Sequence, residues 1–189
     1  MEARREGTER SGERCRAMFV GSWTNKVDDK GRLFLPRRLV TSLHASYGER
    51  PDLILTRRPD QPCLVLQSVA QWEKQRRDLS RLHPLSREYA TFMRFAALAQ
   101  PVEWDQQYRV LLDPSLRELC GIKTNSDVML LGCGDYVELW DEEAGRRVLR
   151  GLVDEGPQIL DAMLSRLSNM PEAGPEANNT PELANNKHG

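Results

Sequence analysis

Short apolar runs recur along the chain: LFL at 33–35, LILT at 53–56, CLVL at 63–66, VLL at 110–112, VMLLG at 128–132 and YVEL at 136–139. Each is three to five residues long and bounded by Gly, Pro, Asp or other turn formers, which predicts strands and excludes long helices. Between them, Pro36-Arg37-Arg38-Leu39 and Asp113-Pro114-Ser115-Leu116 have helix-start chemistry, with Pro suited to the first turn, Asp113 to a cap, and Gly121 to a stop. Ser68 is placed to cap a helix whose apolar stripe is Val69, Trp72, Leu79 and Leu82, and Tyr89, Phe92, Met93, Ala96 and Ala97 mark a second helix before a strand resumes at Pro101. Asp141 is placed to cap a helix through Val148 and Leu149. Pro157 precedes a last one with Ile159, Leu160, Met163, Leu164 and Leu167 on one face. The expected fate of all these stripes is core packing.

The pattern repeats. VDDKGRLFLPRRL (27–39) lies over WDQQYRVLLDPSL (104–116), matching Asp28 with Asp105, Arg32 with Arg109, Leu35 with Leu112 and Leu39 with Leu116. DLILT (52–56) then aligns with DVMLL (127–131), and CLVL with YVEL, the second copy losing residues only between apolar runs, where loops tolerate deletion. Each copy reads strand, turn, strand, short helix, strand, loop, strand and longer helix, an α+β arrangement.

Composition narrows the function. A chain of 189 residues has room for one ordinary domain or two very small ones. The charge-dense stretch 1–17 and the Pro/Asn/Glu/Gly-rich stretch 168–189 carry no apolar periodicity, so both are expected to be disordered, leaving 18–167 for ordered structure. No apolar stretch approaches the roughly 18 residues that cross a bilayer, and the N-terminus lacks a secretory apolar segment, so a cytoplasmic protein without a membrane partner is expected. Cys15, Cys63, Cys120 and Cys133 have no C-x-x-C spacing, and His44, His83 and His188 are far apart, which argues against a disulfide scaffold or a structural metal.

Enzymatic constellations are thin: there is no phosphate-binding P-loop, no G-x-S-x-G and no H-E-x-x-H. Cys133, between Gly132 and Gly134, invites a nucleophile reading, but no activating base is identifiable, and a strand ending in a Gly turn accounts for it. No catalytic activity, cofactor or metal is expected.

The feature that recurs with chemistry attached is Asp-x-x-x-Arg. Asp28 ends one strand and Arg32 begins the next, so carboxylate and guanidinium can pair across the turn. Two readings follow. The pair simply pins a hairpin, or a turn bearing Lys30, Gly31 and Arg32, followed by Arg37 and Arg38, presents cations and a close-approaching backbone to phosphates and base edges. Net charge is −1, so any nucleic-acid surface must be a patch. Residues 26–38 set Lys26, Lys30, Arg32, Arg37 and Arg38 against Asp28 and Asp29, a balance of +3; residues 103–117 set Arg109 and Arg117 against Glu103, Asp105 and Asp113, a balance of −1. The first copy is the basic one.

MFVGSWTNKVDDKGRLFLPRRL, CLVLQSVAQWE, WDQQYRVLLDPSLRELCGI and VELWDEE together resemble the bacterial MraZ transcriptional regulators, which carry two SpoVT-AbrB modules in one chain. The resemblance runs from Met18 to about residue 150. It implies an AbrB-like swapped-hairpin β-barrel built from two pseudo-twofold halves with flanking helices: module 1 at 22–69, a helical connector at 70–98, module 2 at 99–142 and C-terminal helices at 143–167. It further implies a ring-like homo-oligomer that binds short tandem repeats in double-stranded promoter DNA, normally as a repressor of its own division and cell-wall gene cluster, at the nucleoid. Asp28 and Arg32 are then the first-module pair and Asp105 and Arg109 the second, with Lys30, Gly31, Arg32, Arg37, Arg38 and Arg109 as DNA-binding residues and Asp28 and Asp105 as turn stabilisers.

The chain departs from that pattern at Tyr108, where the first motif has Gly31. A position with φ > 0 disfavours tyrosine, so the second turn is expected to be reshaped and Arg109 to serve chiefly its own turn. The alternative function is an antitoxin-like or assembly protein that binds a protein partner, for which the acidic stretch from Glu138 to Glu143 is the candidate surface.

Overall fold

The computed structural model describes residues 18–79, 83 and 85–168. The stretches 1–17 and 169–189, and Leu82 of the connector stripe, lie outside the described residues; Ser168, assigned to the tail from sequence, is the last residue of a helix. In chain order the elements are β1 (Phe19–Lys26), β2 (Arg32–Phe34), α1 (Arg37–Tyr47), β3 (Leu53–Arg57), β4 (Leu64–Ser68), α2 (Val69–Leu79), α3 (Arg87–Ala96), β5 (Gln100–Val102), β6 (Arg109–Leu111), α4 (Pro114–Leu119), β7 (Asp127–Gly134), β8 (Val137–Asp141) and α5 (Glu142–Ser168). The expected caps form: Gln71 N–H donates to Ser68 Oγ (3.2 Å), Ser115 N–H to Asp113 Oδ1 (2.9 Å) and Ala144 N–H to Asp141 Oδ1 (3.2 Å).

The strands form an antiparallel six-stranded sheet in the order β1-β7-β8-β4-β3-β5 and a separate two-stranded ribbon, β2-β6. The α+β class is therefore as expected, but among the described residues the hydrogen bonding does not close into a barrel. The hairpins β3-β4 and β7-β8 lie within one sequence copy, whereas β1-β7, β2-β6, β4-β8 and β3-β5 join one copy to the other. Neither copy is a self-contained sheet.

Period-two alternation sorts the side chains. Leu53, Leu55, Leu64, Leu66, Val128, Leu130, Val137 and Leu139 face one way and join Leu39, Val40 and Leu43 of α1, Leu116 of α4, and Leu33 and Val110 of the ribbon in a single core. The intervening Ile54, Thr56, Val65, Gln67, Met129, Leu131, Glu138 and Trp140 are also buried, on the opposite face. That face holds a polar network in which Arg58 pairs with Glu138 and donates to Tyr136 Oη (3.1 Å), while Trp140 Nε1 donates to Glu138 Oε2 (3.0 Å). Gly132 of β7 pairs with Gly21 of β1. A Cβ there would lie 2.7 Å from the carbonyl carbon and oxygen of Phe19, so only glycine fits.

The helices depart from expectation in two ways. Helix α5 runs through Pro157 instead of restarting after it. The preceding residue is Gly156, and with no Cβ there the clash that Pro normally imposes on its neighbour is relieved. The apolar stripes do not all become core: α3 buries no residue, and Leu152, Val153, Ile159, Leu160, Met163, Leu164 and Leu167 of α5 are all exposed. The chain divides after Val148, so residues 149–168 are a unit described by itself. No helix among the described residues is long and apolar enough to cross a membrane.

Candidate nucleic-acid interface

The two Asp-x-x-x-Arg segments fold into the same turn. In the first, Asp28 Oδ1 accepts from the N–H groups of Lys30 (2.9 Å) and Arg32 (2.8 Å), and Asp28 Oδ2 accepts from Arg32 Nε (2.7 Å) and Nη2 (2.7 Å). In the second, Asp105 Oδ1 accepts from Gln107 N–H (2.8 Å) and Arg109 N–H (3.1 Å), and Oδ2 from Arg109 Nε (2.7 Å) and Nη2 (2.5 Å). Backbone bonds repeat as well: Asp28 N–H to Arg32 C=O and Gly31 N–H to Asp28 C=O, then Asp105 N–H to Arg109 C=O and Tyr108 N–H to Asp105 C=O. One aspartate thus satisfies two turn amides and fixes one guanidinium. Both carboxyls sit below the ordinary range. Asp105 is held at about 2, chiefly by the Arg109 side chain; for Asp28 burial pushes upward and is overcome by the Arg32 and Lys30 N–H groups and the Arg32 guanidinium.

Tyr108 does not reshape its turn. Its φ is +58°, in the same left-handed region as Gly31 at +80°, so the fold imposes the conformation on a residue that disfavours it. The ring packs between the two copies. The Tyr108 ring meets His44 of α1 at 5.9 Å and Trp104 at 5.9 Å, both edge-on, and His44 meets Trp104 at 5.5 Å.

Gly31 is buried, and a Cβ on it would stand 3.3 Å from Arg117 Nε. Its place is therefore to supply the turn conformation beneath the Arg117 guanidinium, and it offers no open backbone to an approaching ligand. Arg117 belongs to the second copy in sequence but lies over the first turn, donating to the carbonyls of Leu112 (3.1 Å) and Ile122 (3.4 Å). No local signal in the sequence marks it. It adds a cation to the turn that already carries exposed Lys30, whereas the second turn has Gln107 at the matching position.

The ribbon brings the two arginines onto one face. Its register pairs Arg32 with Leu111, Leu33 with Val110 and Phe34 with Arg109. Leu33 and Val110 point into the core at 0% exposure, so the other four side chains point outward. The Arg109 guanidinium lies over the Phe34 ring, 5.5 Å from its centroid, and its side chain is 19% exposed against 30% for Arg32. Arg32 is the more available of the two. Arg37 and Arg38 open α1 and are exposed.

The other candidates sit as follows. Burial pushes the Cys133 thiol up to about 11, the wrong direction for a nucleophile. In the acidic stretch Glu138 is buried and pairs with Arg58, Asp141 caps α5, Glu142 pairs with Arg146 at 2.5 Å, and Glu143 is exposed beside Arg147 at 3.9 Å. No cluster of three or more metal-ligating side chains exists among the described residues.

No family model matches the chain. Against individual proteins, it is 39% identical over 125 residues to "Transcriptional regulator MraZ" of Acidovorax sp. (strain JS42), covering 66% of this chain and 83% of that protein. Proteins of the same name from Thermomicrobium roseum and Bordetella pertussis are 34% and 35% identical over 143 and 145 residues, covering 75% and 76% of this chain and 94% and 97% of theirs. With a duplicated aspartate–arginine turn in its fold and relatives matched over 83% to 97% of their length, this chain belongs to the MraZ family.

Proposed function

We propose that this chain is a sequence-specific DNA-binding transcriptional regulator that acts without catalysis or cofactor. The observation that carries the reading is the pair of matching turns feeding one outward ribbon face, with cations concentrated at the first turn. Lys30, Arg32, Arg37 and Arg38 contact double-stranded promoter DNA, with Arg109 beside them on the ribbon and Arg117 as an added cation over the first turn. Asp28 and Asp105 hold the turns. The Nη1 donors of Arg32 and Arg109 have no acceptor among the described residues, which leaves each guanidinium able to bond outward while it stays fixed by its aspartate.

The finer reading follows the resemblance. Modules 22–69 and 99–142 form two pseudo-twofold halves of a swapped-hairpin, AbrB-like unit, supported by the strand pairs that join one copy to the other. The chain assembles as a ring-like homo-oligomer, to which the exposed apolar stripe of residues 152–167 lends support. It works in the cytoplasm at the nucleoid as a repressor of its own division and cell-wall gene cluster, engaging short tandem repeats so that several weak contacts add as avidity. The test compares retardation of DNA from the region upstream of its own gene with retardation of scrambled DNA at one salt concentration. Selective retardation of the upstream DNA is expected; equal, weak retardation of both overturns the reading.

A further inference from the structure

We propose that Phe34 and Leu111 are specificity-determining residues that contact the 5-methyl groups of thymines in the major groove; this rests on the DNA-binding reading above. The two side chains occupy equivalent places in the repeat, each two residues after its motif arginine: Arg32-Leu33-Phe34 and Arg109-Val110-Leu111. In both, the middle residue is fully buried and the outer apolar residue is not, Phe34 being 43% and Leu111 54% exposed. Because β2 and β6 run antiparallel in this register, Arg32 faces Leu111 and Arg109 faces Phe34, so the outward face is a diagonal pair of cations crossed by a diagonal pair of apolar groups.

A surface that meets only phosphates has no use for two exposed apolar side chains at its centre. A surface that meets base edges does, since the thymine methyl is the apolar group that the major groove displays. The occupant is duplex DNA by charge: the ribbon emerges from a segment with a balance of +3 at residues 26–38, and Arg117 lies over the same turn. A two-stranded ribbon also fits the major groove, about 12 Å wide. Diagonal neighbours on a ribbon stand about 7–8 Å apart, and the rise per base pair is about 3.4 Å, so the two thymines recognised lie about two to three base pairs apart.

The experiment takes the shortest upstream duplex that the full-length protein retards selectively and replaces each thymine in turn by uracil, which deletes the methyl and nothing else. Uracil is expected to weaken binding about three- to fivefold, the effect of losing one buried methyl, at positions two to three base pairs apart. Phe34→Ala should lose the uracil effect at one of them and Leu111→Ala at the other. Phe34→Leu, which keeps an apolar contact but removes the ring beneath Arg109, should retain it. Selective binding that is indifferent to uracil everywhere, or alanine variants as sensitive as the parent at the same positions, would overturn this inference and leave the regulator reading standing. Retardation without selectivity removes both.

Discussion

Tyr108 is held in a left-handed conformation by contacts that can be removed in two ways, and the difference between them isolates the backbone. The residue is 37% exposed, and its ring meets His44 and Trp104 edge-on. Burying roughly 100 Å² of aromatic surface contributes about 2 kcal/mol, and the ring contacts add about 0.5–1.5 kcal/mol beyond burial. Tyr108→Ala and Tyr108→Gly both lose these terms. Alanine keeps the cost of φ near +58°, about 1–2 kcal/mol for an L-residue, while glycine sheds it but brings a more disordered unfolded chain, which costs about 0.5–1 kcal/mol. Tyr108→Ala should therefore be destabilised by about 3 kcal/mol and Tyr108→Gly by about 2 kcal/mol, a difference worth roughly 2–4 °C in melting temperature for a chain of this size. Denaturant and thermal melts of the two variants at equal protein concentration measure it. A glycine variant less stable than the alanine one by about 0.5–1 kcal/mol, the cost of its unfolded chain, would show that the strain assigned to position 108 is not there. Since neither change touches Asp105 or Arg109, both proteins should still close the second turn, seen as retained protection of the Arg109 amide from hydrogen exchange.

The two arginines should separate function from stability. Arg32→Ala is expected to weaken binding to the upstream DNA by about 1–3 kcal/mol and to relax sequence preference, whereas Arg109→Ala, which breaks the Asp105 pair and uncovers Phe34, should show mainly as a lower melting temperature; salt-matched isotherms and melts decide it, and an Arg109→Ala protein that keeps its stability but no longer binds would refute the asymmetry. Acid should open the second turn late. Asp105 has a folded value of about 2 against an ordinary 3.8, so its contribution is fully present above about pH 4 and lost as pH falls toward 2. The Gln107 and Arg109 amides, which donate to Asp105, report this by NMR, and titration of those amides near 3.8 would contradict the pairing. The Arg109→Ala variant should move the transition upward.

Much of the local structure was legible in the chain because it depends on neighbours in sequence. Short apolar runs with Gly, Pro and Asp flanks specify strands, a Ser or Asp before an apolar run specifies a helix start, and an aspartate that ends one strand four residues before an arginine that begins the next can close the turn between them. The duplication was visible for the same reason, and with it the two aspartate–arginine pairs. Local reasoning also identified position 108 as one that disfavours tyrosine.

What it could not supply was anything that depends on partners distant in sequence. The tyrosine that the second turn holds in a left-handed conformation packs its ring against His44, sixty-four residues earlier. Arg117 counts with the acidic copy in sequence but stands over the basic turn in space, so the folded charge contrast is sharper than the linear one. Glu138 reads as an exposed acid until β8 is set beside β4 and Arg58 reaches it. The crossing of β2 with β6 was equally out of reach, since antiparallel edges can pair with any strand of compatible alternation. Here the choice is made by burial of Leu33 and Val110 in one core, and that burial turns Arg32, Phe34, Arg109 and Leu111 outward together.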